Sequence, residues 1–227
     1  MVRRGELTDR AWARIEPLLP VADGRGRPWR GHRQVIDEHA AGARKRGDDG
    51  GTIDTRQSQN RQAPGRSRGG SATRLHLIVE SRGLPMTLHL TGGNVVDCTV
   101  FEAVMAEFRL RRPSGGRPRT RPVRLLGDKG HSTRKIRLRR RGIKAVIPER
   151  RDQIASRRRK GSGGGRPPAF DALTYKQRNL VERCIGKLKQ RRAIATRFDK
   201  LASRYLAGVT IASLRLWLRH TEMSDTP

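Results

Sequence analysis

Apolar residues fall into short, separate runs along this chain, and their periods predict a mixed α/β molecule. Trp12, Ile15 and Leu19 recur at helical spacing within 7–19, with Thr8 or Asp9 near the cap and Pro17 late enough to weaken only the last turn. Partner helices for this segment are not evident from the pattern. Between 43 and 72 the only large apolar residue is Ile53, so this stretch is expected as a disordered basic linker. Alternation then begins. Leu75, Leu77 and Val79 share one side of 73–80, Met86, Leu88 and Leu90 one side of 85–91, and Ser81-Arg82-Gly83-Leu84 joins them as a hairpin. A helix with Asp97 as its cap carries Val100, Phe101, Val104 and Phe108, and the Pro/Gly/Arg run 111–122 ends it. A short strand at 123–126, a helix at 132–141 and a strand at 144–148 follow. The Arg- and Gly-rich stretch 149–171 reads as a loop. Two helices close the chain, 173–192 and 202–219, the second carrying Leu206, Val209, Ile211, Leu214, Leu216 and Trp217.

The first of these two helices holds the most informative pattern, Tyr175, Arg178, Glu182 and Lys189, in the spacing Tyr-x2-Arg-x3-Glu-x6-Lys. At about 100° per residue the four side chains fall within roughly 60° of arc. Val181, Cys184, Ile185 and Leu188 form the adjoining apolar stripe, which would bury against a sheet and hold the Glu182 face at its margin. There a carboxylate, a hydroxyl and two cations can meet one phosphate, which points to phosphoryl transfer on DNA. An ordinary basic amphipathic helix satisfies the same spacing.

Charge narrows the partner. Lys and Arg number 51 against 21 Asp and Glu, a formal net charge of +30, and such a surplus calls for a polyanion. No run approaches the roughly 18 apolar residues of a membrane span, and residues 1–20 lack the apolar core of a signal peptide, so an intracellular protein is expected and no membrane partner. Cys98 and Cys184 stand far apart, and the six histidines lack ligand spacing, so no disulfide framework or transition-metal site is expected. Aromatic residues make up 4%, too sparse for stacking along single strands, which favours backbone contacts to duplex DNA. Gly65-Arg66-Ser67-Arg68-Gly69 matches a nucleophile elbow in letters only, because no hydrophobic strand precedes it. Gly161-Ser162-Gly163-Gly164-Gly165 lacks the Gly-Lys-Ser/Thr of a phosphate loop and reads as a flexible linker.

The words around the helical pattern carry a resemblance. LTDRAWARIEPLLP at 7–20, GRPWRGHRQVID at 26–37, HAAGARKRG at 39–47, GRSRGG at 65–70, LLGDKGHSTRKIRLRRRGIKAVIPERRDQ at 125–153, GGRPPAFD at 164–171 and RNLVERCIGKLKQRRAIATRFDKLASRYLAG at 178–208 resemble bacterial insertion-sequence transposases of the DDE type with a Tyr-Arg-Glu-Lys signature. The resemblance implies an α/β, ribonuclease-H-like mixed sheet with flanking helices, spanning 73–220. A helical N-terminal remnant at 1–42, the linker 43–72 and a tail at 221–227 complete the expected organisation. It implies a phosphoryl-transfer enzyme holding two Mg²⁺ or Mn²⁺ ions through Asp128 and Glu182, the second and third acids of the family's triad. Tyr175, Arg178 and Lys189 would then position or neutralise phosphate oxygens. The implied partners are double-stranded DNA at transposon ends and further copies of the chain.

The first acid of the triad is out of place. Asp37 is attached to a strand-like remnant, Gln34-Val35-Ile36-Asp37, but lies only two residues before His39, whereas the family's acid lies several residues further upstream of that His. Asp54, amid polar and glycine-rich neighbours, is a poorer substitute. An internal deletion that removed the first catalytic strand accounts for both facts. The expectation is therefore a transposase impaired or inactive in this copy. The alternative is a non-catalytic basic DNA-binding protein derived from one, and a basic RNA-associated protein is a third reading that leaves the paired acids unexplained.

Overall fold

A computed structural model describes residues 7–19, 31–41, 65–67, 70–112, 114–132, 142–197, 199 and 201–224. Most of the expected linker, Asp54 within it, and all but the first residue of the helix expected at 132–141 lie outside the described residues. Contacts divide the chain into two compact units, Met1–Pro64 with Ile185–Pro227, and Gly65–Cys184. The cut falls within one helix.

In the first unit, α1 (Asp9–Ile15) starts where the Thr8 hydroxyl accepts from the Ala11 N–H at 3.1 Å, and Pro17 tightens its end into a 3-10 turn, Glu16–Leu18. The helices the sequence left unidentified as its partners are α2 (His32–Ala41) and the C-terminal helix, Ala202–Ser224. Leu7, Ala11, Ile15, Ile36 and Leu218 bury together, with Trp12, Leu19, Ile211 and Leu214 around them. Each buried Leu or Ile side chain here contributes on the order of 2 kcal/mol. The C-terminal helix runs five residues beyond the expected Arg219.

The second unit begins with β1 (Gly65–Ser67), β2 (Gly70–Val79) and β3 (Pro85–Gly92), an antiparallel sheet in the order β1-β2-β3. β2 and β3 are the expected hairpin, in register from Thr73 opposite Gly92 to Ile78 opposite Thr87. Its turn uses Gly83 at φ +82°, a left-handed conformation that glycine adopts without strain. α3 (Asp97–Glu107) follows, but Asp97 does not cap it. Val96 holds the cap position, and the Asp97 carboxylate instead accepts from Arg74 Nη1 at 3.0 Å and faces His76 Nδ1 at 3.5 Å. A strong cation on β2 outcompetes the local backbone for this carboxylate. Burial pushes the His76 imidazole below its ordinary pKa, against the pull of Asp97.

β4 (Arg124–Leu126) and β5 (Lys144–Val146) pair in parallel, Leu125 opposite Ala145. The single mixed sheet expected from the sequence is not what the described strands form: they make a three-stranded antiparallel sheet and a separate two-stranded parallel one. No described strand lies between them to share hydrogen bonds. Both sheets pack on α3 instead, around buried Met105 and Ile143, with Ile78 from β2, Phe101 from α3, and Leu125 and Ala145 from the parallel pair.

The stretch 149–171, read as a loop, contains α4 (Arg151–Arg159) and a 3-10 turn at Gly161–Gly164. α4 has no buried residue and hence no apolar stripe in the sequence to reveal it. Polar ties hold it: Arg157 binds the Glu149 carboxylate at 2.5 Å, Ser132 Oγ donates to Gln153 Oε1 at 2.7 Å, and the Gln153 amide donates to the Ser132 carbonyl. The linker reading of the Gly161–Gly165 run is corrected in the same way.

The helix expected at 173–192 is three pieces: α5 (Ala172–Tyr175), a 3-10 turn at Lys176–Arg178, and α6 (Asn179–Lys189). Asp171 caps α5, accepting from Thr174 N at 2.9 Å and from the Thr174 hydroxyl. α7 (Arg192–Thr196) and the C-terminal helix, α8, complete the chain. The apolar stripe of α6 is as expected, with Cys184 and Leu188 fully buried and Val181 and Ile185 partly so.

Candidate nucleic-acid-processing site

β4 delivers Asp128. Two residues beyond Leu126, the chain leaves the strand still extended, and the Asp128 side chain caps a single 3-10 turn, Lys129–His131. Its Oδ1 accepts from the His131 backbone N–H at 3.3 Å and lies 2.7 Å from His131 Nδ1. Gly130 leaves room for this contact, since a Cβ there would sit 3.1 Å from that same oxygen and push it by a few tenths of an ångström. Half-burial alone would raise the Asp128 pKa. The His131 hydrogen bonds and charge outweigh it and hold the carboxyl below the ordinary aspartate value. The carboxylate therefore stays ionised to lower pH than a free aspartate, and its contribution to stability is present above the unfolded pKa and lost only as pH falls through the lower folded one. In a His131→Ala variant the Asp128 carboxyl resonance should titrate at higher pH than in the wild type, read by carboxyl-carbon NMR. An unmoved titration would remove His131 from this role.

Setting aside all six histidines for want of ligand spacing missed His131. The signal was present as Asp-x2-His directly after a strand, the spacing at which a capping carboxylate meets the ring at the end of one turn.

In the same unit, the 3-10 turn before α6 shapes the signature residues. In such a turn residues three apart eclipse, so Arg178 lies over the Tyr175 ring, its guanidinium carbon 5.9 Å from the centroid. From there Arg178 Nη2 reaches Glu182 Oε1 at 2.7 Å. Phe170 packs against the other partner of the cluster, its ring 5.2 Å from that of Tyr175. Thus Tyr175, Arg178 and Glu182 converge as expected, though through a broken helix. Glu182 is more than half exposed, so the ion pair is solvent-screened and open to exchange. Lys189 is the last, exposed residue of α6 and lies beyond the unit boundary.

Arg124 at the start of β4 ties this region to the strand by donating to Thr174 Oγ1 at 3.2 Å. A groove of about 1300 Å³ runs beside it, lined with Lys144, Arg157, Lys160, Arg166 and Phe170 among others. The unit thus presents one carboxylate at a strand end, held by His131, and one on a helix, held by Arg178, while the groove mixes cations with the acids Glu149, Asp152 and Asp171.

Asp37 is held within the helical unit. Its Oδ1 accepts from the Leu7 backbone N–H at 2.7 Å and lies 3.6 Å from Nη1 of buried Arg215, while Oδ2 lies 3.9 Å from Arg33 Nε. These contacts give it a packing role in the first unit.

The family profile described as the transposase DDE domain matches residues 28–217, most of the chain. The chain belongs to the DDE transposase family. Among curated proteins it is 32% identical over 129 residues to the transposase for insertion sequence element IS402 of Burkholderia cepacia, a match covering 56% of this chain and 54% of that one. It is 24% identical over 147 residues to the transposase for insertion sequence element IS6501 of Brucella ovis, covering 65% of this chain and 98% of that one. The chain thus spans about half the length of the first relative and nearly all of the second. No solved structure matches. No helix among the described residues of this transposase-family chain is long and apolar enough to cross a membrane.

The family implies divalent metal ions, and the donor set can be tested against them. A two-ion site needs several carboxylates converging on one place. Among the described residues no group of three or more His, Cys, Asp or Glu side chains stands together in that way. Asp128 is engaged by His131 and Glu182 by Arg178. These residues do not fit a complete two-ion cage.

Proposed function

We propose that this chain is a transposase of a bacterial insertion sequence, shaped to bind duplex DNA at transposon ends and to cleave and join it, and that strand transfer is impaired or absent in this copy. The observation that carries the reading is the engagement of Asp37. The acid nearest the family's first position is committed to Leu7, Arg33 and Arg215 within the helical unit, while Asp128 and Glu182 keep the family's contexts of strand end and helix. In this reading Asp128 and Glu182 are the surviving acids, and Tyr175, Arg178 and Lys189 neutralise or orient phosphate oxygens. Working members of such a family would act on DNA as assemblies of more than one subunit. The net charge of +30 supports DNA as the polyanion.

A second reading, a DNA-binding protein without chemistry, is favoured by the same pairing of both acids inside the chain. One experiment tests both. The full chain is mixed with DNA bearing the element's ends and with Mg²⁺ or Mn²⁺, and nicking and binding are followed across a salt series. The expected result is salt-sensitive binding with little or no nicking. Robust nicking, abolished in Asp128→Asn and in Glu182→Gln, would overturn the claim of impairment and establish the intact enzyme. Absence of any salt-sensitive binding would overturn both readings.

A further inference from the structure

Between α3 and β4 the chain builds an arginine arm that neither the core nor the acid-bearing site uses. Arg109, Arg111, Arg112, Arg117, Arg119 and Arg121 fall within thirteen positions that hold no Asp or Glu. Solvated charge runs are common on surfaces, but this one is shaped. Phe108 is buried at the end of α3, and Arg109 Nη1 donates to the carbonyls of Ala106 at 2.5 Å and Phe108 at 2.8 Å, so this cation ties down the helix C-terminus. Next, Leu110 and Arg119 exchange both backbone hydrogen bonds, at 2.9 and 2.8 Å, as an antiparallel pair that closes the arm. The Gly115 N–H donates to the Arg112 carbonyl at 3.0 Å, and Gly115 and Gly116 turn the tip at φ +78° and +83°.

Across this arm Arg112, Arg117, Arg119 and Arg121 line a shallow hollow of about 230 Å³ together with Pro118 and Thr120. All four arginines are exposed, and none makes an ion pair among the described residues. Holding like charges together on a pre-shaped loop is unfavourable unless a polyanion relieves it. A guanidinium grips phosphate oxygens through two parallel N–H donors, and a loop already closed loses little entropy on binding. The arm also has a fixed tether to the acid-bearing site. Arg121 and Asp128 are seven residues apart, hence within about 24 Å along an extended backbone, which is less than the roughly 34 Å of one turn of duplex DNA.

We propose that the 109–121 arm clamps the phosphate backbone of duplex DNA, within one helical turn of the phosphate presented to Asp128. This rests on the DNA-binding part of the proposed function. The test uses the full chain and a generic DNA duplex, with log affinity followed against log salt. The variant Arg112→Gln/Arg117→Gln/Arg119→Gln is compared with Arg151→Gln/Arg158→Gln/Arg159→Gln, which removes the same charge from the exposed face of α4. The arm variant should lower the slope by about 3, near 0.9 for each phosphate no longer neutralised, and the α4 variant by less than half as much. Matching far-UV circular dichroism of the two variants shows that both fold. Equal decreases in both, with wild-type binding intact, would overturn the arm while leaving DNA binding standing. Failure of the wild type to bind would overturn both. Displacement of the duplex by a stoichiometric amount of single-stranded RNA would overturn the choice of DNA.

Discussion

Replacing Asp37 with alanine is expected to destabilise the helical unit by about 3 kcal/mol, read as a lower midpoint in urea unfolding. Arg215 is almost fully buried, and burial lowers its pKa to about 10, with Asp37 and then Glu222 as the carboxylates that oppose this shift. Removing one partner of a buried pair leaves the other charge poorly compensated, which is the costly way to break such a pair. The backbone N–H of Leu7 loses its acceptor in the same variant. Asp37→Asn keeps that acceptor and loses only the charge, so its cost should be smaller. Were Asp37 a metal ligand instead, both variants would keep wild-type stability, and any metal-dependent nicking by the wild type would disappear in each.

The second large effect is a gain. On the proposed reading of an internal deletion, inserting between positions 37 and 38 a segment that supplies a strand and a further acid is expected to raise metal-dependent nicking of transposon-end DNA by about a hundredfold or more. A missing corner of a two-ion clamp is worth several kcal/mol of transition-state stabilisation, and about 1.4 kcal/mol is a factor of ten in rate. The added activity should vanish in Glu182→Gln. The insertion point lies within α2, which runs unbroken from His32 to Ala41. Insertion on its C-terminal side leaves Ile36 and Asp37 attached to their partners Leu7 and Arg215. If nicking stayed at the uninserted level while the protein folded and bound DNA, deletion of a catalytic strand would not be the cause of impairment.

Why some of this was readable and some was not follows from where each signal resides. The β2–β3 hairpin was legible because alternation over two runs joined by Arg82-Gly83 is a local property, and the α6 stripe because Cys184 and Leu188 recur at helical spacing. α4 was not legible. Its order comes from Glu149, Ser132 and Arg157, partners that leave no period in the sequence. Asp97 was misread for the related reason that Arg74, 23 residues away in the chain, outbids the adjacent backbone for its carboxylate.

The sequence by itself determined the family, the +30 charge, and the strand-end and helical contexts of Asp128 and Glu182, since these depend on residue identity and short-range spacing. Only the tertiary structure decided that Asp37 braces Arg215, that His131 lowers the Asp128 carboxyl pKa, that a 3-10 turn brings Arg178 onto both Tyr175 and Glu182, and that the Leu110–Arg119 pair closes an arginine-bearing arm. Those outcomes turn on which distant groups meet across a fold, and hydrogen bonds and ion pairs select among partners by distance and burial, quantities that a one-dimensional pattern does not contain.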